Sequence, residues 1–373
     1  MAMFSGGKAS FLGVDIGTSS VKVVEIRNEG GRPRLGTYAF LERPTNIIKL
    51  DSAQQQQEMA ASLTQILKKA RVTTDKVVAA LPNFSVFSSI ISLPVMPRKE
   101  MYAAVRWEAK KFVPMPIEEM VLDWRLLKDK DGASKGPPKE DQKTPDISVD
   151  GQVGERSPKN LRVLLTAAPK SLVKRYIDVF KTVGLRLVSL ETESFALERS
   201  LLGGEPGSFM IVDVGAVATN ITITVNSVPL LNRSIDVGGD TITKAIANGL
   251  NVDLERAEQF KRDVGVGGSD AAGGQIPRAI EFVITSIVNE IRYVFNLYRN
   301  QGEKPIEKII LAGGSAFLTN LPEYLANTLN MKVIIGDPWA RVVYPVDLKP
   351  ALDEIGPRFA VAIGLGMREI VSS

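Results

Sequence analysis

Two segments half a chain apart carry one pattern, and that pattern limits the fold more than anything else in the sequence. Residues 11–26 read Phe-Leu-Gly-Val-Asp-Ile-Gly-Thr-Ser-Ser-Val-Lys-Val-Val-Glu-Ile. The apolar run 11–14 suits a buried strand, and 21–26 returns as a strand rich in β-branched residues. Between them Asp15 stands where the first strand opens into a turn. Gly17 lets the backbone take φ > 0 and leaves room for a ligand to approach. Thr18, Ser19 and Ser20 offer hydroxyls and a run of backbone N–H groups. Residues 208–225 repeat the plan: an apolar strand, Asp213 and Gly215 one residue apart, a small-residue turn, the polar pair Thr219-Asn220, and a second strand. Alone, either segment reads as readily as an ordinary hairpin with a polar turn. Two copies imply a duplicated architecture whose loops face one another across a cleft. A carboxylate beside a cradle of N–H donors suits a phosphate chain with its Mg²⁺, because the amides hold phosphate oxygens and the hard cation takes oxygen ligands.

Composition narrows the chemistry. The chain of 373 residues has no cysteine and no histidine. That removes disulfides, thiolate nucleophiles, histidine-ligated metals and any Ser-His-Asp triad. Chemistry must rest on carboxylates, hydroxyls, lysine, arginine and backbone dipoles. The formal charge of +4 is spread along the chain, without a long basic block or interleaved aromatics, so nucleic acid is not an expected partner. No stretch reaches the roughly 20 apolar residues of a membrane span, and residues 1–10 lack the apolar segment of a leader, so the chain reads as cytoplasmic.

In order, strands are expected at 11–16, 20–27 and about 34–41. A helix capped by Asp51 or Ser52 follows, with Met59, Leu63, Ile66, Leu67 and Ala70 at helical spacing. A buried strand at 76–81 completes a βββαβ start. Residues 84–190 read as an inserted α+β subdomain: a strand to 93, a helix over 98–113, a strand at 121–127, a polar Pro/Gly-bearing loop over 128–160, then strand, helix and strand at 161–168, 170–183 and 185–190. A helix at 193–202 returns to the first domain (11–83 with 191–203), and the Gly-rich stretch 203–207 is a boundary. The second domain, 207–373, carries the repeated hairpin and a strand at 228–236. Gly238, Gly239 and Asp240 cap a helix over 241–247, and Asp253 caps another bearing Glu255, Glu258 and Lys261. A Gly-rich loop at 264–275 precedes a long helix, 277–299, with Ile280, Ile284, Ile287, Ile291 and Phe295 on its buried side. Residues of about 240–304 form a subdomain of their own. Gly313, Gly314 and Ser315 directly follow the apolar strand 308–312, and a glycine pair there lets a base or a phosphate lie against the backbone. A helix near 321–330, a strand at 333–335 and a helix around 358–370 close the chain.

The order Asp15-x-Gly17, Asp213-x-Gly215, Gly313-Gly314-Ser315 resembles the two phosphate loops and the adenosine loop of the actin-like ATPase superfamily. Ala257-Glu258-Gln259-Phe260-Lys261 is similar to that superfamily's Ala-Glu-x-x-Lys helix. Glu193 stands where it often places a group that orients the attacking water. Within the superfamily, residues 11–26, Arg106-Trp107-Glu108-Ala109-Lys110-Lys111-Phe112-Val113-Pro114, Glu191-Thr192-Glu193-Ser194-Phe195-Ala196-Leu197 and the insertion's position resemble the PilM family of type IV pilus assembly proteins, relatives of FtsA. The resemblance implies an actin-like, ribonuclease H-like α/β fold, duplicated, with an FtsA-type insertion. It implies ATP between the two domains, with Mg²⁺ held by Asp15 and Asp213 mostly through water. Gly17, Thr18, Ser19, Ser20, Gly215 and Thr219 would cradle phosphates, and Gly239, Glu258, Lys261, Gly313, Gly314 and Ser315 would frame the nucleoside. Lys22 could reach a phosphate or stand on an exposed strand face. Glu193 and Asp15 would be the catalytic candidates in an ATPase that is slow or inactive. The implied partner is the cytoplasmic N-terminus of PilN, in a groove between the first domain and the insertion, with PilO, PilP and the pilus motor ATPases further along the assembly. The alternatives are a small-molecule kinase of the sugar-kinase type and an FtsA-like membrane-associated filament protein. The small residues of the last helix suit core packing rather than an amphipathic anchor.

Overall fold

The structure, a computed structural model, describes residues 9–42, 52–127, 160–267, 275–300 and 304–371. They fall into two compact units, 1–84 with 172–373 and 85–171. The expected loop at 128–160 and most of that at 264–275 lie outside the described residues, as does Asp51.

The larger unit opens with β1 (Ser10–Ile16), β2 (Ser20–Glu29), β3 (Arg32–Glu42), α1 (Ala53–Ala70) and β4 (Lys76–Leu81). Ser52 caps α1 by accepting from the Gln55 N–H, and the Gln55 side chain accepts from the Ser52 N–H in return. The smaller unit follows: β5 (Phe87–Leu93), α2 (Arg98–Ala109), β6 (Met120–Leu126) and β7 (Leu161–Pro169). Its antiparallel sheet runs β5-β7-β6. Met101, Val105 and Ala109 of α2 pack on Ile91, Val163 and Leu165 to make its core. The chain returns through α3 (Lys170–Thr182), β8 (Arg186–Thr192) and α4 (Glu193–Leu201).

The insertion is therefore narrower than the expected 84–190. The strand read as its last piece is β8, which pairs parallel with β4 from Lys76↔Arg186 to Leu81↔Thr192 and closes a sheet ordered β3-β2-β1-β4-β8. The residue pattern of β8 is the same for either sheet, so pairing decides its membership.

The second half repeats this plan with β9 (Ser208–Val214), β10 (Thr219–Val225), β11 (Val228–Ile235), α5 (Gly239–Leu250), α6 (Leu254–Val264), α7 (Gln275–Arg299), β12 (Lys308–Ala312), α8 (Leu321–Leu329) and β13 (Val333–Ile335). The sheet order is β11-β10-β9-β12-β13, the counterpart of the first. In each hairpin the aspartate faces the residue seven positions on, Asp15↔Lys22 and Asp213↔Asn220. Each turn closes alike, with Gly17 N–H to Ser20 O and Gly215 N–H to Ala218 O, both at 3.0 Å. Ile280, Ile284, Ile287 and Ile291 of α7 bury against Met210, Val212, Ile221 and Ile223 of the second sheet.

The last helix, α9 (Lys349–Met367), begins nine residues before the expected 358, carries Pro357 inside it, and does not stay with the second half. Its Phe359, Ala362 and Ile363 pack with Val24 and Ile26 of the first sheet, while Ala360, Val361 and Leu365 join Ala196 and Leu197 of α4. The approach is close enough that a Cβ on Gly364 would lie 1.9 Å from the Ala196 carbonyl oxygen. No helix among the described residues is long and apolar enough to cross a membrane.

Candidate functional site

The two Asp-x-Gly turns line one cleft of about 580 Å³. Strand alternation decides which side chains enter it. Asp15 and Asp213 end β1 and β9 with their carboxylates toward the cleft, and Lys22 and Asn220 face them from β2 and β10. Gly17, Thr18, Ser19, Ser20 and Gly215 form the turns, Glu193 opens α4, and Gly239, Glu258, Lys261, Gly313, Gly314 and Ser315 line the remaining wall. A second hollow of about 660 Å³ beside α3 and β8 is lined by Ile177, Lys181, Arg186 and Val188 and gathers no carboxylates.

Thr219 is a correction. Its side chain is fully buried and donates to the Val237 carbonyl at 2.6 Å, so it does not line the cleft. Strand period two gives that position to Asn220. The sequence held the signal, since Asn220 follows Asp213 at the spacing by which Lys22 follows Asp15. Arg358 and Phe317 also line the cleft and were missed. Arg358 comes from α9, pairs with Glu42 at 2.7 Å and stacks 5.1 Å over Phe40. No local pattern could announce it, because the rest of the wall lies far away in sequence.

The electrostatics are dominated by crowded carboxylates. Lys22 Nζ meets Asp15 Oδ2 at 2.9 Å, both side chains being largely buried at 13% and 9% exposure. Glu193 Oε2 accepts from the Asn83 backbone N–H at 3.0 Å and from Asn220 Nδ2 at 3.3 Å. Burial, helped by the charges of Asp15 and Asp213, pushes the Glu193 carboxyl up to about 8. Burial and then Asp15 push Asp213 up to about 6, against the pull of Lys22 and Asn220. Such a cluster favours either a held proton or a bound cation. Among the described residues no three acidic groups converge as direct metal ligands. A cation here would keep waters or take ligand oxygens, the habit of Mg²⁺.

At the far wall, Lys261 Nζ donates to the Gly239 carbonyl at 3.2 Å and to Thr243 Oγ1 at 3.0 Å, and meets Glu258 Oε2 at 2.5 Å. Burial alone would raise the Glu258 carboxyl, but hydrogen bonds from Lys261 and Thr243 more than offset it and hold it below its ordinary value. Gly313 has φ +84°, and a Cβ there would lie 2.5 Å from Asp213 Oδ1. Glycine is thus required both by conformation and by the carboxylate behind it.

Comparison with known proteins agrees with this geometry. A family model described as type IV pilus assembly protein PilM matches residues 13–138 and 146–370. A solved chain titled PilM-PilN type IV pilus biogenesis complex superposes with a TM-score of 0.79 and 29% identity, covering 98% of this chain and 100% of that one. The ethanolamine utilization protein EutJ from Carboxydothermus hydrogenoformans, at TM-score 0.56, 16% identity and coverage of 98% and 91%, shares the fold. MreB 5 of Spiroplasma citri, solved bound to AMPPNP, does so at TM-score 0.53, 13% identity and coverage of 96% and 95%. Curated relatives include the cell division protein FtsA of Agrobacterium fabrum, 27% identical over 176 residues, which are 41% of this chain and 38% of that protein. FtsA of Neisseria meningitidis is 23% identical over 250 residues, 59% of each. The chain thus spans between two fifths and three fifths of the length of these relatives. With the family model reaching from β1 to beyond the end of α9, this actin-like chain belongs to the PilM family of type IV pilus assembly proteins.

Proposed function

We propose that this chain is an ATP-binding, actin-like scaffold of a type IV pilus inner-membrane assembly complex and that it grips the cytoplasmic N-terminal peptide of PilN. The observation that carries the reading is the superposition on a PilM-PilN complex over 98% of the chain. On this reading the protein lies at the cytoplasmic side of the inner membrane through PilN, is linked indirectly to PilO and PilP, and works beside the pilus motor ATPases.

The cleft suits Mg-ATP by its donor set. Asp15 and Asp213 supply two hard carboxylates for the cation. The turns at 17–20 and 215–218 present backbone N–H groups to phosphate oxygens. Glu258, Lys261, Gly313, Gly314 and Ser315 frame the nucleoside, with Gly313 seated against Asp213 and the Val214 backbone where no side chain fits. Bound Mg²⁺ would supply the positive charge that the clustered carboxylates lack, and ATP would supply a phosphate chain for the turns to grip. Burial and the charges of Asp15 and Asp213 raise the Glu193 carboxyl to about 8 in the cation-free cleft, which makes it a poorly ionised candidate base there. That supports slow turnover or none.

Calorimetry with a synthetic PilN N-terminal peptide, with and without Mg-ATP, tests the scaffold. Binding in either state supports it, and no binding in both removes it. Asp213→Ala tests the cleft: loss of Mg-ATP binding is expected, and an unchanged affinity would overturn the site assignment.

A further inference from the structure

Ser194 follows Glu193 on α4 and is fully buried. Its hydroxyl oxygen lies 3.0 Å from Oδ1 of Asn83, which opens the short 3-10 turn after β4, and 2.6 Å from Asn232 Oδ1 on β11. Thr222 Oγ1, on β10, is 3.1 Å from the same hydroxyl and donates to Asn232 Oδ1 at 2.8 Å. A serine hydroxyl has one proton, so it cannot donate to both amide oxygens at once. One arrangement gives the proton to Asn83 and leaves Asn232 to Thr222. The other gives it to Asn232 and leaves Asn83 to turn its amide toward Ser194. Asn83 Nδ2, buried and without a hydrogen-bond partner among the described residues, is the group that the second arrangement satisfies.

We propose that Ser194 is a positioning residue with two hydrogen-bonded states, one held by Asn83 in the turn after β4 and one by Asn232 on β11 of the second sheet, and that cleft occupancy selects between them. This rests on the cleft being the Mg-ATP site. The selection has a direct route. Glu193, next to Ser194, is bonded by the Asn83 backbone and by Asn220, whose register partner is Asp213. Anything that draws Asp15 and Asp213 together therefore loads Asn83, the residue shared by Glu193 and Ser194, and so biases one of the two arrangements. Asn83 also stands two residues before the 85–171 unit begins. On the returning side, α3 carries Tyr176, fully buried, its hydroxyl without a hydrogen-bond partner among the described residues. Burial, with the charges of Glu193 and Asp15, pushes that hydroxyl well above its ordinary range, which places it in the field of the same carboxylates. A two-state element biased from each side is what coupling requires.

Hydrogen–deuterium exchange of a peptide covering residues 82–86 reads the switch without a partner protein. The wild type should show at least a fivefold change in exchange rate there on adding saturating Mg-ATP. Ser194→Ala should bind Mg-ATP within about threefold of the wild type by calorimetry, yet show less than a twofold change in exchange. Thr222→Val, which leaves Asn232 only the serine proton, should suppress the change while keeping Ser194, and it guards against a folding defect in the alanine variant. Nucleotide binding with unaltered exchange in the wild type, or an equal response in both variants, overturns the switch and leaves the nucleotide site standing. Absence of Mg-ATP binding to the wild type overturns the nucleotide reading, and the switch with it.

Discussion

Replacing Glu193 with Gln isolates the cost of a carboxylate buried among carboxylates. Gln keeps the acceptor for the Asn83 N–H and stays neutral at every pH. In the wild type the folded-state carboxyl is raised from its ordinary 4.5 to about 8. A raised acid contributes stability that is fully present below its unfolded pKa and lost as pH climbs through its folded one. The wild type should therefore weaken between about pH 4.5 and pH 8 while the variant does not. A shift of roughly 3.5 units at 1.36 kcal/mol each sets a ceiling of about 5 kcal/mol. Glu193 still faces the cleft in part, so solvent screening should leave about 2 kcal/mol of that. For a cooperative unit of more than 250 residues this is roughly 4 °C in Tm. Thermal melts of the nucleotide-free protein in chelator should show matched curves at pH 5 and a higher Tm for Glu193→Gln at pH 9. A difference independent of pH, or a wild type that melts higher at pH 9, would refute the account of Glu193.

Two other predictions concern what holds α4 and α9 in place behind the cleft. Arg199 forks onto Glu191 at 2.7 and 2.9 Å and also donates to the Gly364 carbonyl at 2.7 Å, all buried. Arg199→Met strands Glu191 with only Arg368, 3.3 Å away, and should cost about 3–5 kcal/mol in a urea titration. Less than about 1 kcal/mol would mean that Arg368 suffices. Gly364→Ala places a methyl where Ala196 backbone already sits, so the helices must part; a loss of about 3 kcal/mol or more is expected, and a neutral effect would contradict the close packing.

The sequence by itself determined the duplication and which turns line the cleft. Asp15, Asp213 and the glycine turns are legible because a strand, a carboxylate and a tight turn are local features, set by period-two patterning and backbone sterics. Gly313 was legible as a lining residue of the cleft, since a glycine pair closing an apolar strand marks a tight turn at the strand's end. The capping residues Ser52 and Asp253 likewise act within one helical turn.

Tertiary structure alone decided the rest. Which sheet took β8, and that α9 crosses back to bring Arg358 to the cleft, depend on pairing and packing between segments remote in sequence. Whether Thr219 or Asn220 faces the cleft turns on a one-residue register that the polar pair itself leaves open. The proton on Glu193 depends on how many carboxylates the folded chain crowds together, and how dry it keeps them, because Coulomb and desolvation energies act through space and not along the chain.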